Sequence, residues 1–205
     1  EARGDIIAFT DSDCFPSPGW LKSIEEGFRS AGSLVLMGPR TASTSNQSVR
    51  LVASYENHKN EFICESNDPS IYCGHTNNMA VRRSAFDKVG MFVQRARGAD
   101  TIFVQQVVAA TSCDAVSWCP DMTVEHAELE SMYAWIGKVK TYSRSHRAFR
   151  HIVPVRPLST AERFRIFRRT VKKHPALDSA WLMSLLITGQ FAWWLGGLGV
   201  AESDS

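Results

Sequence analysis

The apolar run Ile6-Ile7-Ala8-Phe9, flanked by Asp5 and Thr10, predicts a short buried strand. Phe15-Pro16-Ser17-Pro18-Gly19 predicts a turn, because it holds two prolines and a glycine. Leu21, Ile24 and Phe28 then recur at helical spacing and predict a helix over residues 20–29. Leu34-Val35-Leu36-Met37-Gly38-Pro39 predicts a second buried strand. Residues 41–48, rich in Ser, Thr and Asn, read as a loop, and residues 49–62 as a helix.

Residues 71–81 contain Gly74-His75-Thr76-Asn77-Asn78. Ser84-Ala85-Phe86-Asp87 matches a capping box, and Gly90 is placed to stop the short helix that follows. A longer helix is expected after Asp100, then a strand at residues 115–118, then Met122-Thr123-Val124 leading into Glu125-His126. Strands alternating with helices predict an α/β layered domain. No internal repeat or low-complexity tract is visible.

The tail has a different pattern. Phe164, Phe167 and Val171 fall on one stripe of a helix over residues 161–173, with Arg165, Arg168, Arg169 and Lys172 mostly elsewhere around it. Such a basic amphipathic helix suits an anionic membrane surface. Residues 181–201 carry no formal charge. At about 1.5 Å per residue they reach roughly 30 Å, the thickness of a bilayer's hydrocarbon core. A spanning helix or re-entrant hairpin is expected, with an in-plane or protein-buried helix as the alternative, because Gln190, Gly196, Gly197 and Gly199 weaken the span.

Charge sharpens this division. The net charge is only +2, too small to point to a nucleic-acid polymer as partner. Residues 144–173 hold ten of the 23 Lys and Arg and one of the 21 acids, so that segment carries +9 and the remainder −7. A basic surface facing an anionic partner is expected. The chain is 44% apolar and 21% charged over 205 residues, which excludes a disordered, collagen-like or disulfide-scaffold protein. Five cysteines with no C-x-x-C spacing predict free thiols. The first residue is Glu, and the chain reads as beginning inside a domain.

Three places could carry chemistry. Asp11-Ser12-Asp13 puts two carboxylates at the end of a buried strand, where they could share a hard divalent cation such as Mg2+ or Mn2+. The same triplet equally suits an acidic loop. Asp100, at a helix start, is either an N-cap or a general base, and the two roles are compatible. His126, after a strand, is either structural or the neutral imidazole that completes a carboxylate metal site. His75, Asn77 and Asn78 could bond sugar hydroxyls or satisfy their own loop.

Taken in order, these pieces resemble the C-terminal two-thirds of a family 2 glycosyltransferase catalytic domain. "ARGDIIAFTDSDCFPSPGWL" is similar to that family's strand, D-x-D motif and following helix. "GHTNNMAVRRSAFDKVGMF" resembles its acceptor-side strand and helix, and "RGADTIFVQQVV" its G-E-D-x-x-L segment. The resemblance covers about residues 1–130.

It implies a GT-A fold: a Rossmann-like mixed α/β sheet flanked by helices, truncated at its N-terminus, with C-terminal helices. With the pattern of the tail, it divides the chain into a partial catalytic domain at 1–130, a basic helical segment at 131–174, and an apolar membrane-associated or spanning helix with a short tail at 175–205. It implies metal ligation by Asp11, Asp13 and His126, a base at Asp100, and donor or acceptor contacts from Ser12, Gly74, His75, Asn77, Asn78 and Arg82. The implied reaction is inverting transfer of a sugar from a nucleotide-diphosphate donor to a sugar or lipid-linked acceptor, in envelope or lipid-linked glycan synthesis. The implied location is a membrane, with the catalytic part on the cytoplasmic side.

The sequence departs from the family at Ala99, where a glutamate is usual, and no Q-x-x-R-W follows, which argues against a processive synthase. The first strand and the uridine-contacting acid of the family belong before Glu1, so this stretch alone is expected to be inactive. A degenerate glycosyltransferase-like membrane protein and a metal-dependent phosphatase or hydrolase are the alternatives.

Overall fold

The structure, a computed structural model, describes residues 2–30, 32–127, 131–149, 151–172 and 174–198. Its main sheet has four strands in the order β1 (Ile6–Thr10), β5 (Asn78–Arg82), β3 (Val35–Met37), β6 (Val116–Trp118). β5 runs antiparallel to both β1 and β3, and β6 runs parallel to β3. A second sheet joins β2 (Cys14–Pro16), β7 (Val124–His126) and β4 (Arg40–Ala42).

Side-chain alternation along β3 and β5 splits the core in two. Val35, Met37, Met79 and Val81 face one side, where they meet Phe103, Val104 and Val107 of α4 (Ala99–Ala110). Leu36 and Ala80 face the other, where they meet Trp20, Ile24 and Phe28 of α1 (Trp20–Ser30). The mixed sheet is therefore covered by helices on both faces, with α3 (Arg83–Val89) beside α4.

Several expectations needed correction. Leu21 is 70% exposed, and Trp20 takes its place in the core because its indole also finds a buried acceptor, Asn78 Oδ1, at 2.9 Å. The capping box at Ser84 and Asp87 does not form. α3 starts two residues earlier than that box would set, with Arg82 at its N-cap and no side-chain cap. A true capping box closes the start of α6 (Thr160–Val171), where Ser159 and Glu162 exchange hydrogen bonds. In α6 the buried positions are Ile166 and Thr170, whereas Phe164 is 53% exposed. Part of the expected loop at 41–48 is β4. The cysteines at 14, 64, 73, 113 and 119 are free, as expected.

The largest difference lies in the tail. α5 (Met132–Phe149), α6 and α7 (Ala176–Leu198) pack against α2 (Gln47–Cys64) and one another. Among the described residues no helix is long and apolar enough to cross a membrane. One side of the apolar stretch expected to span is instead spent on packing. Leu182, Leu185 and Ala192 of α7 are buried, and Ser143 of α5 donates to the Trp193 carbonyl at 2.7 Å. The glycines that weakened the span allow close helix contact. A Cβ at Gly196 would lie 2.7 Å from the Lys140 backbone, and one at Gly189 would lie 2.5 Å from the Trp135 ring. Gly199 and the end of the expected span lie outside the described residues.

The basic segment is likewise partly used inside the protein. Arg156 bonds Asp68 at 2.5 Å and Glu162 at 2.7 Å, and Arg169 bonds Glu65 of α2 at 2.6 Å. Arg156 holds the Glu162 carboxyl down at about 2. Arg150 and Lys173 of that segment lie outside the described residues.

Asn78 is the polar centre of the catalytic-side fold. It is fully buried, accepts from Trp20 Nε1, and donates to the Pro39 and Met122 carbonyls at 2.9 and 2.6 Å. It thereby ties β5 to α1 and to the segments before β4 and β7. Replacing it strands three buried groups, each costing about 1–3 kcal/mol when unsatisfied. Asn78→Ala is expected to lower unfolding free energy by about 3 kcal/mol in chemical denaturation, with Asn78→Asp also destabilising.

Candidate active site

The strand β1 ends at Thr10, and the chain turns through Asp11-Ser12-Asp13, closed by the Cys14 N–H donating to the Asp11 carbonyl at 3.1 Å. β2 follows and pairs antiparallel with β7 so that Cys14 lies opposite His126. The Ala127 N–H extends this ladder to the Asp13 carbonyl at 2.9 Å. The register places His126 Nε2 3.4 Å from Asp13 Oδ2, across 113 positions of sequence. His126 is buried, while Asp11 and Ser12 are exposed and Asp13 is half-buried.

Asp13, Cys14 and His126 present ligand atoms within 4.8 Å of one another. Burial, and then the neighbouring Asp13 and Asp11 carboxylates, push the Cys14 thiol up despite a backbone bond at Asp11, so it stays protonated at neutral pH. With Asp11 beside them, most of these donors are oxygen and imidazole nitrogen. With Asp11 two residues from Asp13, that set fits a hard divalent cation, with Asp13 and His126 as the pair the geometry brings together.

Asp100 stands in the first turn of α4, which opens at Gly98 with φ 82° rather than at a side-chain cap. The N-cap role expected for Asp100 is thus not the one it plays, although its Oδ1 accepts from the Thr101 N–H at 2.8 Å. Burial pushes its carboxyl up from the ordinary value. Backbone N–H groups of Thr101 and Thr76 oppose this, and the Asp11 carboxylate adds to it. The Asp11 charge therefore raises the proton affinity of Asp100.

Gly74 backs this arrangement. A Cβ there would lie 2.5 Å from the Asp100 carbonyl, and the Gly74 N–H donates to Thr101 Oγ1 at 3.3 Å. Only a bare backbone lets the loop before β5 approach the start of α4. Gly74 thus positions Asp100 through packing.

A cavity of about 470 Å³ opens on the Asp11 and His126 side, and Asp13, Gly74, His75 and Asp100 are not among its lining residues. Asp11, Asn77 and His126 line it. The buried Asn77 Oδ1 has no hydrogen-bond partner among the described residues, and neither does the buried His75 Nε2. Desolvation, with Arg40 and Lys59 adding to it, holds His75 well below its ordinary value, so its ring is neutral. The remaining expected contacts lie elsewhere. Asn78 is committed to the internal bonds described above. Arg82 is turned to the end of α1, donating to the Phe28 carbonyl at 2.7 Å and the Ser33 carbonyl at 3.1 Å and stacking over the Phe28 ring. Both are corrections, and both arise because β5 is an interior strand whose ends face α1. Ser12 does not line the cavity.

Other lining residues were not legible. Arg40 comes from β4, Glu56 and Lys59 from α2, Arg97 from the loop before α4, and Trp135 and Trp193 from α5 and α7. Burial pushes the Glu56 carboxyl up, but its ion pair with Lys59 and the nearby Arg40 and Arg163 outweigh that and hold it below the ordinary value. The one usable sequence signal was Arg40 itself, a charge directly after a buried run.

Comparison with known proteins bears on the fold and on residues 1–90. Residues 1–90 match the family model "Glycosyl transferase family 2". The matched stretch contains the D-x-D turn and β5 but not Asp100 or His126. The fold is similar to that of a mannosyltransferase from Pyrobaculum calidifontis solved in complex with GDP-Man and Mn2+, with TM-score 0.55 and 13% identity. The likeness covers 98% of this chain, and the chain spans 64% of the length of that protein. No curated protein matches the chain. The fold is thus GT-A, and the family match and the fold together support a family 2 glycosyltransferase.

The Asp100 environment gives a direct check. In metal-free protein, a carboxyl carbon NMR titration should give Asp100 a midpoint above the roughly 3.9 of a free aspartate. Asp11→Asn removes a neighbouring negative charge and should move that midpoint down.

Proposed function

We propose that the chain belongs to an inverting glycosyltransferase that moves a sugar from a nucleotide-diphosphate donor to an acceptor hydroxyl. One observation carries this reading. Asp13 and His126 face each other across β2 and β7, while Asp11, which lines the same cavity as His126, interacts with the half-buried Asp100.

Asp100 is the base. Its raised proton affinity brings it closer to that of a proton acceptor working near neutral pH than an ordinary aspartate would be. It takes the proton from the acceptor hydroxyl. The oxygen attacks the anomeric carbon on the face opposite the nucleotide, and the bond from that carbon to the diphosphate breaks with its electron pair leaving on the diphosphate. Asn77 Oδ1, buried and unpaired, suits a sugar hydroxyl as donor. Asp13, His126 and Asp11 would hold a divalent cation, Mg2+ or Mn2+. Such a cation supplies positive charge that stabilises a departing diphosphate. The complex of the Pyrobaculum calidifontis protein with GDP-Man and Mn2+ supports both donor class and cation. Ala99 leaves α4 with its start intact, so Asp100 is placed without the usual glutamate.

Envelope or lipid-linked glycan synthesis, at the cytoplasmic face of a membrane, is the setting we propose. The outer face of α7 supports it, since Trp181, Phe191, Trp194 and Leu198 are exposed there.

The test is product analysis on the natural full-length polypeptide with a panel of nucleotide sugars. Nucleoside diphosphate should be released in a divalent-cation-dependent reaction. Asp100→Asn should cut kcat by about a hundred- to ten-thousand-fold. Asp13→Ala should raise the Mn2+ concentration needed for half-maximal rate by about ten-fold or more. Release of inorganic phosphate, or full activity in Asp100→Asn, would overturn the assignment.

A further inference from the structure

Cys14 is the one polar side chain on the inner face of the β2–β7 pair to which the transfer reading gives no task. Alternation along the two strands sorts their side chains. Phe15 and Glu125 take the exposed face, while Cys14, Val124 and His126 are buried on the other. Directly opposed residues of an antiparallel pair hold their Cβ atoms about 5 Å apart, so the Cys14 thiol and the His126 imidazole are neighbours by register. Among the described residues, Asp13, Cys14 and His126 are the one group of three metal-ligating side chains whose donor atoms converge, all within 4.8 Å of one another.

The spacings have a preference. Asp13 Oδ2 lies 3.4 Å from His126 Nε2, and the Cys14 thiol donates to Asp13 Oδ1 at 3.8 Å. An ion bound tetrahedrally at zinc-like bond lengths separates its oxygen and nitrogen ligands by about 3.3 Å, and its sulfur from either by about 3.5 Å. Octahedral Mg2+ draws neighbouring ligands to about 3.0 Å and favours oxygen over sulfur. The three donors thus stand closer to a tetrahedral arrangement, and one of them is soft. Thiolate ligation selects zinc-class ions over Mg2+. Three protein ligands leave the fourth position of such an ion open.

We infer that this site takes a zinc-class divalent cation through Cys14 Sγ, together with Asp13 and His126, and holds it in preference to Mg2+. The inference rests on the reading of Asp13 and His126 as a cation site, adds a third protein ligand to it, and does not depend on the sugar transfer. On binding, the Cys14 S–H bond breaks, its proton leaves to solvent, and the sulfur lone pair forms the bond to the metal. The cation supplies the positive charge that favours the thiolate. The thiol enters the site because β2 pairs with β7 in this register, since Cys14 lies outside the D-x-D itself. Two classes of ion thus compete for one place. Mg2+ or Mn2+ uses oxygen and imidazole, and a zinc-class ion adds the sulfur and displaces them.

The experiment is metal titration of the natural full-length polypeptide, reduced and metal-free, with no sugar donor present. Co2+ serves as the spectroscopic probe for the zinc class. Its complex should show thiolate-to-cobalt charge-transfer absorption in the near ultraviolet and the visible bands of tetrahedral Co2+. An equimolar amount of Zn2+ should erase both, and about a hundred-fold excess of Mg2+ should not. Cys14→Ser should remove the charge-transfer absorption. It should also weaken Zn2+ by about a hundred-fold or more, since even an outer-shell partner is worth about ten- to a hundred-fold. Mg2+ should bind the serine variant no more weakly, because the hydroxyl offers it an oxygen. Asp13→Ala, at a half-buried carboxylate, should abolish the absorption as well, and it decides the question should Cys14→Ser fold poorly. The inference is overturned if the Co2+ complex lacks the thiolate absorption, or if Cys14→Ser binds Zn2+ as tightly as the natural protein. It is also overturned if the absorption survives Cys14→Ser or Asp13→Ala, because the thiol would then be another of the five cysteines. Calorimetric binding of Mg2+ or Mn2+ without the thiolate absorption sinks only this inference. Failure of every divalent cation to bind, with GDP or UDP present or absent, sinks it together with the cation-site reading.

Discussion

The antiparallel pairing of β2 with β7 is the constraint on which the site depends. Each strand is three residues long, and neither would be stable in isolation. Their register sets Cys14 against His126 and so brings the Asp13 carboxylate to the imidazole. A slip of one residue would turn His126 to the opposite face of the sheet and dissolve the site. The pairing is held by what surrounds it. β4 runs parallel to β7 on its other edge, and Asn78 fixes the carbonyls of Pro39 and Met122 that lead into β4 and β7. A buried amide outside the site therefore sets the geometry of groups at its centre.

The same economy governs Asp100. Its carboxyl is pushed up by burial and by Asp11, while backbone N–H groups pull the other way. The balance depends on how closely α4 approaches the loop before β5, and Gly74 permits that approach. In the proposed reaction, two carboxylates with differing environments would let one serve a cation and the other a proton. The C-terminal helices complete the enclosure. They contribute aromatic and apolar walls.

Much of the catalytic layer was legible because its signals are local. β1, β3, α1 and α4 follow from apolar runs and helical spacing, and the order of the D-x-D, Gly74-to-Arg82 and Asp100 segments carried the resemblance. The parts that were misread share one cause. Leu21 and Phe164 sit at positions that a helical period marks as buried, yet Trp20 and Ile166 win the contact once a second element is present. α7 has the composition of a lipid-facing helix, and only its partners reveal that one side is spent on α5 and α2.

The sequence by itself determined the α/β layering, the acidic turn after β1 and the placing of Asp100 at a helix start, because periodicity and turn chemistry act over a few residues. It could not assign Asn77 and Asn78, adjacent in the chain, to different jobs. Tertiary structure did that, since successive residues entering a strand point to opposite faces: one lines the cavity, and the other is consumed inside the core. It also decided that Arg40 meets Arg97 on one cavity and that the apolar tail folds back as a wall. Those outcomes depend on which surfaces meet, and the energy of a buried face is set only when its partner arrives.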